Sequence, residues 1–413
     1  MSIEKICYEG TRPLIKKNPG YSWPERNKAN RLEPICQPLY SPTFEIKQND
    51  KVFTLGSCFA RNIENHMVDY GLDVVPIRIN TQIPKKFALD QLRNLYSPIS
   101  ILNGLKWALS PNEMPDPAEC LIRTGEDEWF DPMLHPPRPG HLDEVIETNQ
   151  LVSRNMALIS QCRIVVITLG LVECIFDKKI GKYLNSIKTN MIQSGDYDRY
   201  EVHIMDLAEV LNSLEKIYDL LAKHLTDDFK IMLSVSPVPL KNTYRDMDVI
   251  TANMYSKSLL RTAADIFSSN HQNIDYLPIY ESVIMSERKY TWEPDLIHVS
   301  DFIVKLNIQR ALNLYTNGKF INELTNSQLI IDSLDEKFIA SLPMQLRLSR
   351  DMENQYTTVL SLMPKLRQKI SELENEMKGK EVQYEIFKTN YDRLQKVNTD
   401  YLKQIIELQG LKK

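Results

Sequence analysis

The run Arg163-Ile164-Val165-Val166-Ile167-Thr168-Leu169 most constrains what this chain can fold into. It is apolar and largely β-branched without polar alternation, so a strand formed here has to be covered on both faces. Similar short runs occur at Lys51-Val52-Phe53-Thr54-Leu55, at Leu72–Ile77, at Phe229–Val235 and at Ile274-Asp275-Tyr276-Leu277. Helical periodicity lies between them: through Phe59, Ile63 and Met67, then over 141–161, 205–224 and 247–268. Strands separated by long helices need crossovers rather than hairpins, which predicts an α/β domain with a mainly parallel sheet. Ligands of such sheets sit outside the carboxyl ends of the strands. The motifs described below fall at those ends or just beyond the last strand.

The balance of residues is that of an ordinary globular protein. Of 413 residues, 43% are hydrophobic and 25% charged, enough apolar material for a sizeable core. Net charge is −4 and the pI about 6.1, so no overall field favours nucleic acid or an anionic membrane. The six cysteines, at 7, 36, 58, 120, 162 and 174, form no CxxC pair and have no histidine at zinc-ligand spacing. Cys162 and Cys174 flank the apolar run and read as small hydrophobes. Met1-Ser2-Ile3-Glu4-Lys5 opens no apolar leader, and no stretch approaches a membrane-spanning length. These features predict free thiols, a cytoplasmic location and no transmembrane segment.

Proline placement divides the chain, since 16 of its 22 prolines precede residue 140. Residues 1–50 read as an extended arm wrapping a domain, 51–325 as the α/β domain, and about 110–140 as a proline-rich insertion within it. From Leu366 apolar residues recur at alternating spacings of four and three: Ile370, Leu373, Met377, Tyr384, Phe387, Tyr391, Leu394, Tyr401, Ile405 and Leu408, with Lys380 and Asn398 in the two missing places. This repeat predicts a helical coiled-coil tail over 335–413 and a homo-oligomer through residues 364–409. An antiparallel hairpin with residues 335–362, broken at Pro364, is the other arrangement the pattern allows.

Gly56-Ser57-Cys58-Phe59-Ala60 is the sharpest local feature. A serine between a strand and a helix is either an N-cap, accepting an amide of the first turn, or a nucleophile whose oxyanion the helix N-terminus stabilises. Cys58, one residue into the helix, is a second nucleophile candidate and is expected to point inward. Asp295-Leu296-Ile297-His298 offers what a serine nucleophile needs, a base and a carboxylate to orient it, three residues apart in one turn. A surface turn with an ordinary histidine is the plainer reading. Of seven histidines, only His298 combines that spacing with a place after the last strand. Asn80 is a candidate hydrogen-bond donor or a turn residue. Trp129-Phe130-Asp131-Pro132 with His135 either lines a pocket or is loop packing. Ser236-Pro237-Val238-Pro239 reads as a cleft wall fixed by its prolines.

The Gly56–Ala60 motif resembles the one that names the GSCFA domain family, a relative of the SGNH (GDSL-like) hydrolases. The resemblance continues through Ile167–Glu173, Ser234–Pro239 and Thr251–Lys257 and closes with Asp295-xx-His298, in preserved order over roughly residues 50–315. It implies a flavodoxin-like three-layer α/β/α sandwich with Ser57, Asp295 and His298 as catalytic residues. It also implies an oxyanion hole from the Ser amide, a Gly amide and an Asn side chain. Here Gly170-Leu171-Val172-Glu173 replaces the Gly-x-Asn pattern, and ionised Glu173 cannot donate. Either another donor such as Asn80 substitutes, or Glu173 is protonated, or activity is reduced.

The resulting expectation is a serine-dependent acyl-ester hydrolase or O-acetyltransferase acting on a carbohydrate or other acyl-ester substrate, such as a bacterial surface-polysaccharide precursor. No cofactor or metal is implied, except acetyl-CoA if the enzyme is a transferase. The alternative is a non-catalytic scaffold, assembled through the coiled coil, that binds a glycan or a partner protein. A nucleotide-dependent transferase is disfavoured, because no Gly-rich phosphate loop is present.

Overall fold

The computed structural model describes residues 7–26, 30–76, 92–187 and 197–317, and near the C-terminus 388–393, 395–397, 399–400 and 403. The chain forms two compact units, Met1–Leu324 and Thr325–Lys413. In the first unit, helix α1 (Tyr8–Lys17) precedes strand β1 (Lys51–Gly56), α2 (Cys58–Asp69), β2 (Asp73–Val74) and α3 (Pro98–Leu109). Next come α4 (Pro117–Cys120), β3 (Ile122–Arg123), β4 (Trp129–Phe130), α5 (Leu142–Ala157), β5 (Ile164–Leu169), β6 (Glu173–Asp177), β7 (Lys182–Leu184) and β8 (Tyr200–Ile204). The unit continues with α6 (Leu207–His224), β9 (Lys230–Val235), α7 (Val249–Asn270), β10 (Ile274–Tyr276), α8 (Ile279–Met285), α9 (Arg288–Thr291) and α10 (Asp301–Tyr315).

Five strands form one sheet in the order β10-β9-β5-β1-β2, every pair parallel. Counted along the chain this is 2-1-3-4-5, a doubly wound order. β5 lies at the centre with all its residues buried, as its unalternating apolar sequence demands. Its register, Gly56↔Thr168 on one side and Thr168↔Ser234 on the other, aligns the carboxyl ends of β1, β5 and β9. The direction of winding reverses between β1 and β5, opening a crevice just beyond Gly56 and Leu169.

Helices flank the sheet: α2 packs on α10 and β1, α7 packs on β9 and β10, and α3 contacts both α5 and α6. Their starts follow local chemistry. Ser97 and Ser100 make a reciprocal capping box on α3, Asp206 and Glu209 another on α6, and Asp248 caps α7.

Several elements differ from expectation. Of the strand expected over 72–77, only Asp73 and Val74 pair among the described residues 72–76, and Pro76 has no amide for a ladder. The arm carries a helix, α1, and its later part is tied down where Thr43 bonds Asp275 and the Ile46 amide donates to Tyr315 O. The proline-rich stretch is ordered, with β3 and β4 forming an antiparallel pair. A second, antiparallel sheet, β7-β6-β8, was not legible in the sequence, because β8 is at most half-buried and lacks an apolar stripe. Most of the heptad positions lie outside the described residues, and 388–393 and 395–397 are helical. Among the described residues no helix is long and apolar enough to cross a membrane.

Candidate active site

The site begins with a glycine that no other residue can replace. Gly56 ends β1 at φ +131°, and a Cβ there would stand 2.3 Å from both the carbonyl oxygen and Oγ1 of Thr168. The chain turns at this point, so Ser57 falls at the mouth of the crevice and caps α2. Ser57 Oγ accepts the Phe59 amide at 3.3 Å and bonds Ser236 Oγ at 3.3 Å. The cap and the strand-end placement expected of a nucleophile are thus both present. Ser57 is 3% exposed and Ser236 fully buried. Ser236, read from sequence only as part of a wall, is Ser57's nearest hydroxyl partner because β9 ends level with β1 across β5.

Cys58, expected to point inward, is partly exposed while Ser57 is not. Its thiol is nevertheless pushed up by burial, against the amides of Phe59 and Cys58 and the charges of Lys257 and Arg61.

A segment that sequence reasoning missed closes the crevice on the β1 side. Asn94 bridges Gly56 in parallel, and the Leu95 amide donates to Gly56 O at 2.8 Å. Asn185 clamps this segment, accepting the Tyr96 amide and donating to Asn94 O. Tyr96 O in turn accepts both the Gly170 and Leu171 amides at 3.0 Å. The Gly170 amide is therefore already used, and a Cβ at Gly170 would lie 2.6 Å from Tyr96 O. Asn94 is 4% exposed and its Oδ1 has no hydrogen-bond partner among the described residues, as is true of the buried Thr168 Oγ1. These orphaned groups flank Gly56. Burial, and then Cys58, raise the Tyr96 phenol far above its ordinary value, partly offset by a hydrogen bond from Asn94.

Glu173, at the start of β6, does not face an open pocket as a donor. Its Oε1 accepts from Thr243 Oγ1 at 2.6 Å and its Oε2 from the Tyr244 amide at 2.8 Å. Both oxygens accept, the role an ionised carboxylate fills, and together they anchor the loop that follows β9. Asn80 lies outside the described residues.

Asp295 and His298 are brought together by a turn closed by the Trp292↔Val299 bridge, with Leu296 in the left-handed region at φ +60°. Asp295 Oδ1 accepts the amides of Ile297 and His298, and its Oδ2 lies 2.5 Å from His298 Nδ1. The His298 amide, its ring and the Ile297 amide hold the Asp295 carboxyl down to about 2. The carboxylate therefore fixes the proton on Nδ1 and leaves Nε2 as the acceptor, the tautomer a general base needs. The His298 side chain is 61% exposed. No hydrogen bond joins it to Ser57.

In the proline-rich stretch, Phe130 is fully buried with Ile122, Leu184 and Ile187. Asp131 accepts from the Met133 amide and Asn149, and burial raises its carboxyl. His135 stacks edge-on against Tyr96 at 4.9 Å, which brings it to the rim of the crevice.

This ordered set, from the Gly-Ser turn at β1 to the Asp-xx-His turn before α10, coincides with a known family model over residues 51–310. The chain belongs to the GSCFA family. The GSCFA match starts at the first residue of β1 and ends within α10, so it spans the parallel sheet and every described candidate residue. No curated protein and no solved structure matches the chain.

Proposed function

We propose that this GSCFA protein is a serine-dependent acyl-ester enzyme, a hydrolase or O-acetyltransferase. Ser57 Oγ attacks the ester carbonyl, His298 Nε2 takes its proton and returns it to the leaving alcohol, and Asp295 holds the imidazole. The single observation carrying this reading is the bond between Asp295 Oδ2 and His298 Nδ1 at 2.5 Å, which prepares Nε2 as a base. The parallel strand order supports a flavodoxin-like sandwich related to the SGNH hydrolases, with Ser57 at the switch point. Turnover requires His298 and Ser57 to meet when substrate binds, since catalytic hydrogen bonds often tighten only in the complex. A carbohydrate ester such as an acetylated surface-polysaccharide precursor, handled in the cytoplasm, fits this chemistry, with acetyl-CoA as donor if the enzyme transfers. A fluorophosphonate probe tests the reading. Labelling at Ser57 that disappears in His298→Asn supports it; no labelling of wild type refutes it.

A non-catalytic scaffold is the second reading. It is favoured by the occupied Gly170 amide and by Glu173, whose oxygens both accept, which leave neither as an oxyanion donor. On either reading the heptad repeat after Leu366 assembles the chain. Size measurement of the full chain against residues 1–334 tests that assembly, and equal oligomeric states would count against it.

A further inference from the structure

Lys257, on α7, is 1% exposed. Lysine is almost never fully buried unless an anion pairs with it. Among the described residues Lys257 has no such anion: its Nζ makes a single hydrogen bond there, to Gly170 O at 2.6 Å. Of the titratable groups around it, only the Cys58 thiol favours its charged form. Glu173, just beyond the same turn, spends both oxygens on Thr243 and Tyr244. Along α7, Asp248 caps Ile250, and Arg261 pairs with Glu281 and Asp265. Burial brings the Lys257 pKa down to about 7.

Holding a carbonyl does not need a charge. One position earlier, Ser256 Oγ accepts the Val172 amide at 3.2 Å, and Asn253 Oδ1 accepts the Leu240 amide at 3.1 Å. These neutral side chains already tie α7 to the loops leaving β5 and β9. A buried ammonium at the same place is an electrostatic liability unless negative charge arises nearby. Gly170 lies two residues past Thr168, the partner of Gly56, so the charge sits at the strand ends beside the Ser57-Cys58 turn. The likeness to esterases leaves a donor missing there, since the Gly170 amide is bonded to Tyr96 O and Glu173 accepts.

We propose that Lys257 is the cation of this site, a positioning residue that fixes the Gly170 turn and balances the negative charge developing when Ser57 reacts. The inference rests on the Ser57 reading for its catalytic part. Its effect on the Cys58 thiolate stands without that reading. In the low-dielectric interior such a fixed charge acts strongly and needs no reorganisation.

The test compares full-length wild type with Lys257→Met and Lys257→Arg. The first readout is alkylation of Cys58 by iodoacetamide, followed by peptide mass across pH. Loss of the cation should slow Cys58 alkylation about threefold or more near pH 6 in Lys257→Met, the difference should close as pH rises past about 7, and Lys257→Arg should restore it. The second is turnover of 4-nitrophenyl acetate, where Lys257→Met should lower kcat about tenfold or more with little change in KM. Its thermal midpoint should fall little, because removal of a buried charge offsets the lost bond to Gly170 O. An unchanged Cys58 rate, or a midpoint that falls in step with activity, overturns the proposal and leaves Lys257 a structural prop. If Ser57→Ala retains wild-type turnover, the Ser57 reading fails, and the Cys58 rates alone decide the role of Lys257.

Discussion

Asp295 holds both ends of His298, accepting its amide with Oδ1 at 2.9 Å and facing its Nδ1 with Oδ2 at 2.5 Å. The carboxylate lies in an exposed turn, so its low pKa comes from these bonds rather than from burial. A group depressed in the folded state stabilises the fold above its unfolded pKa and loses that effect as pH falls through its folded value. For Asp295 the window runs from about 3.9 in the unfolded chain down to about 2. Asp295→Asn should therefore be less stable than wild type at neutral pH, and the difference in thermal midpoint should close across that window. The same substitution should lower ester turnover about 10²–10⁴-fold by releasing the tautomer. A midpoint difference independent of pH would count against this account.

Ser57 both caps α2 and carries the candidate nucleophile, and the two roles separate by substitution. Removing a serine cap for alanine costs about 1 kcal/mol, and for glycine a few tenths. Ser57→Ala and Ser57→Gly should thus differ in urea midpoint yet share the same loss of turnover and of fluorophosphonate labelling. Residual turnover in either variant would show that Ser57 acts only as a cap.

Gly56 and Gly71 both have positive φ, but only Gly56 is crowded. At Gly71 an added Cβ meets nothing within 4 Å, whereas at Gly56 it meets Thr168 at 2.3 Å. Gly71→Ala should carry backbone strain alone, about 1 kcal/mol. Gly56→Ala adds a clash with the central strand and should lower the melting point by about 5 °C or more. Comparable effects of the two variants, measured by calorimetry, would contradict the geometry.

Glu64 lies buried between Arg61 and Arg93 and also accepts from Thr54. Burial pushes its carboxyl up, but the two guanidinium charges outweigh it and leave the pKa below its ordinary value. Glu64→Gln removes the one carboxylate that the two buried guanidinium groups share, a loss of about 3 kcal/mol. That loss should appear in denaturant unfolding at neutral pH and narrow below about pH 4, where unfolded-state glutamate protonates. An isoenergetic variant would show that the arginines find other partners.

Much of the fold was legible because its signals are local. The unalternating run at 163–169, and the apolar runs ending at Gly56 and Val235, point to covered parallel strands. The small sheet β7-β6-β8 was not legible, since strands this short and only partly buried carry no periodic stripe. The segment 92–96 was missed for another reason. Asn94 and Tyr96 matter through what lies beside them, Gly56 and Gly170, which are distant along the chain.

By itself the sequence determined the α/β class, the strand ends on which Ser57 and Gly170 fall, and the pairing of Asp295 with His298 within one turn. Each depends on residues close in sequence. Only the tertiary structure decided that Ser57 faces Ser236, that the Gly170 amide is bonded to Tyr96, and that Lys257 is buried against the Gly170 carbonyl. The first follows from the parallel register of β1, β5 and β9, the others from how the 92–96 segment and α7 pack against the end of β5, and no local pattern encodes either.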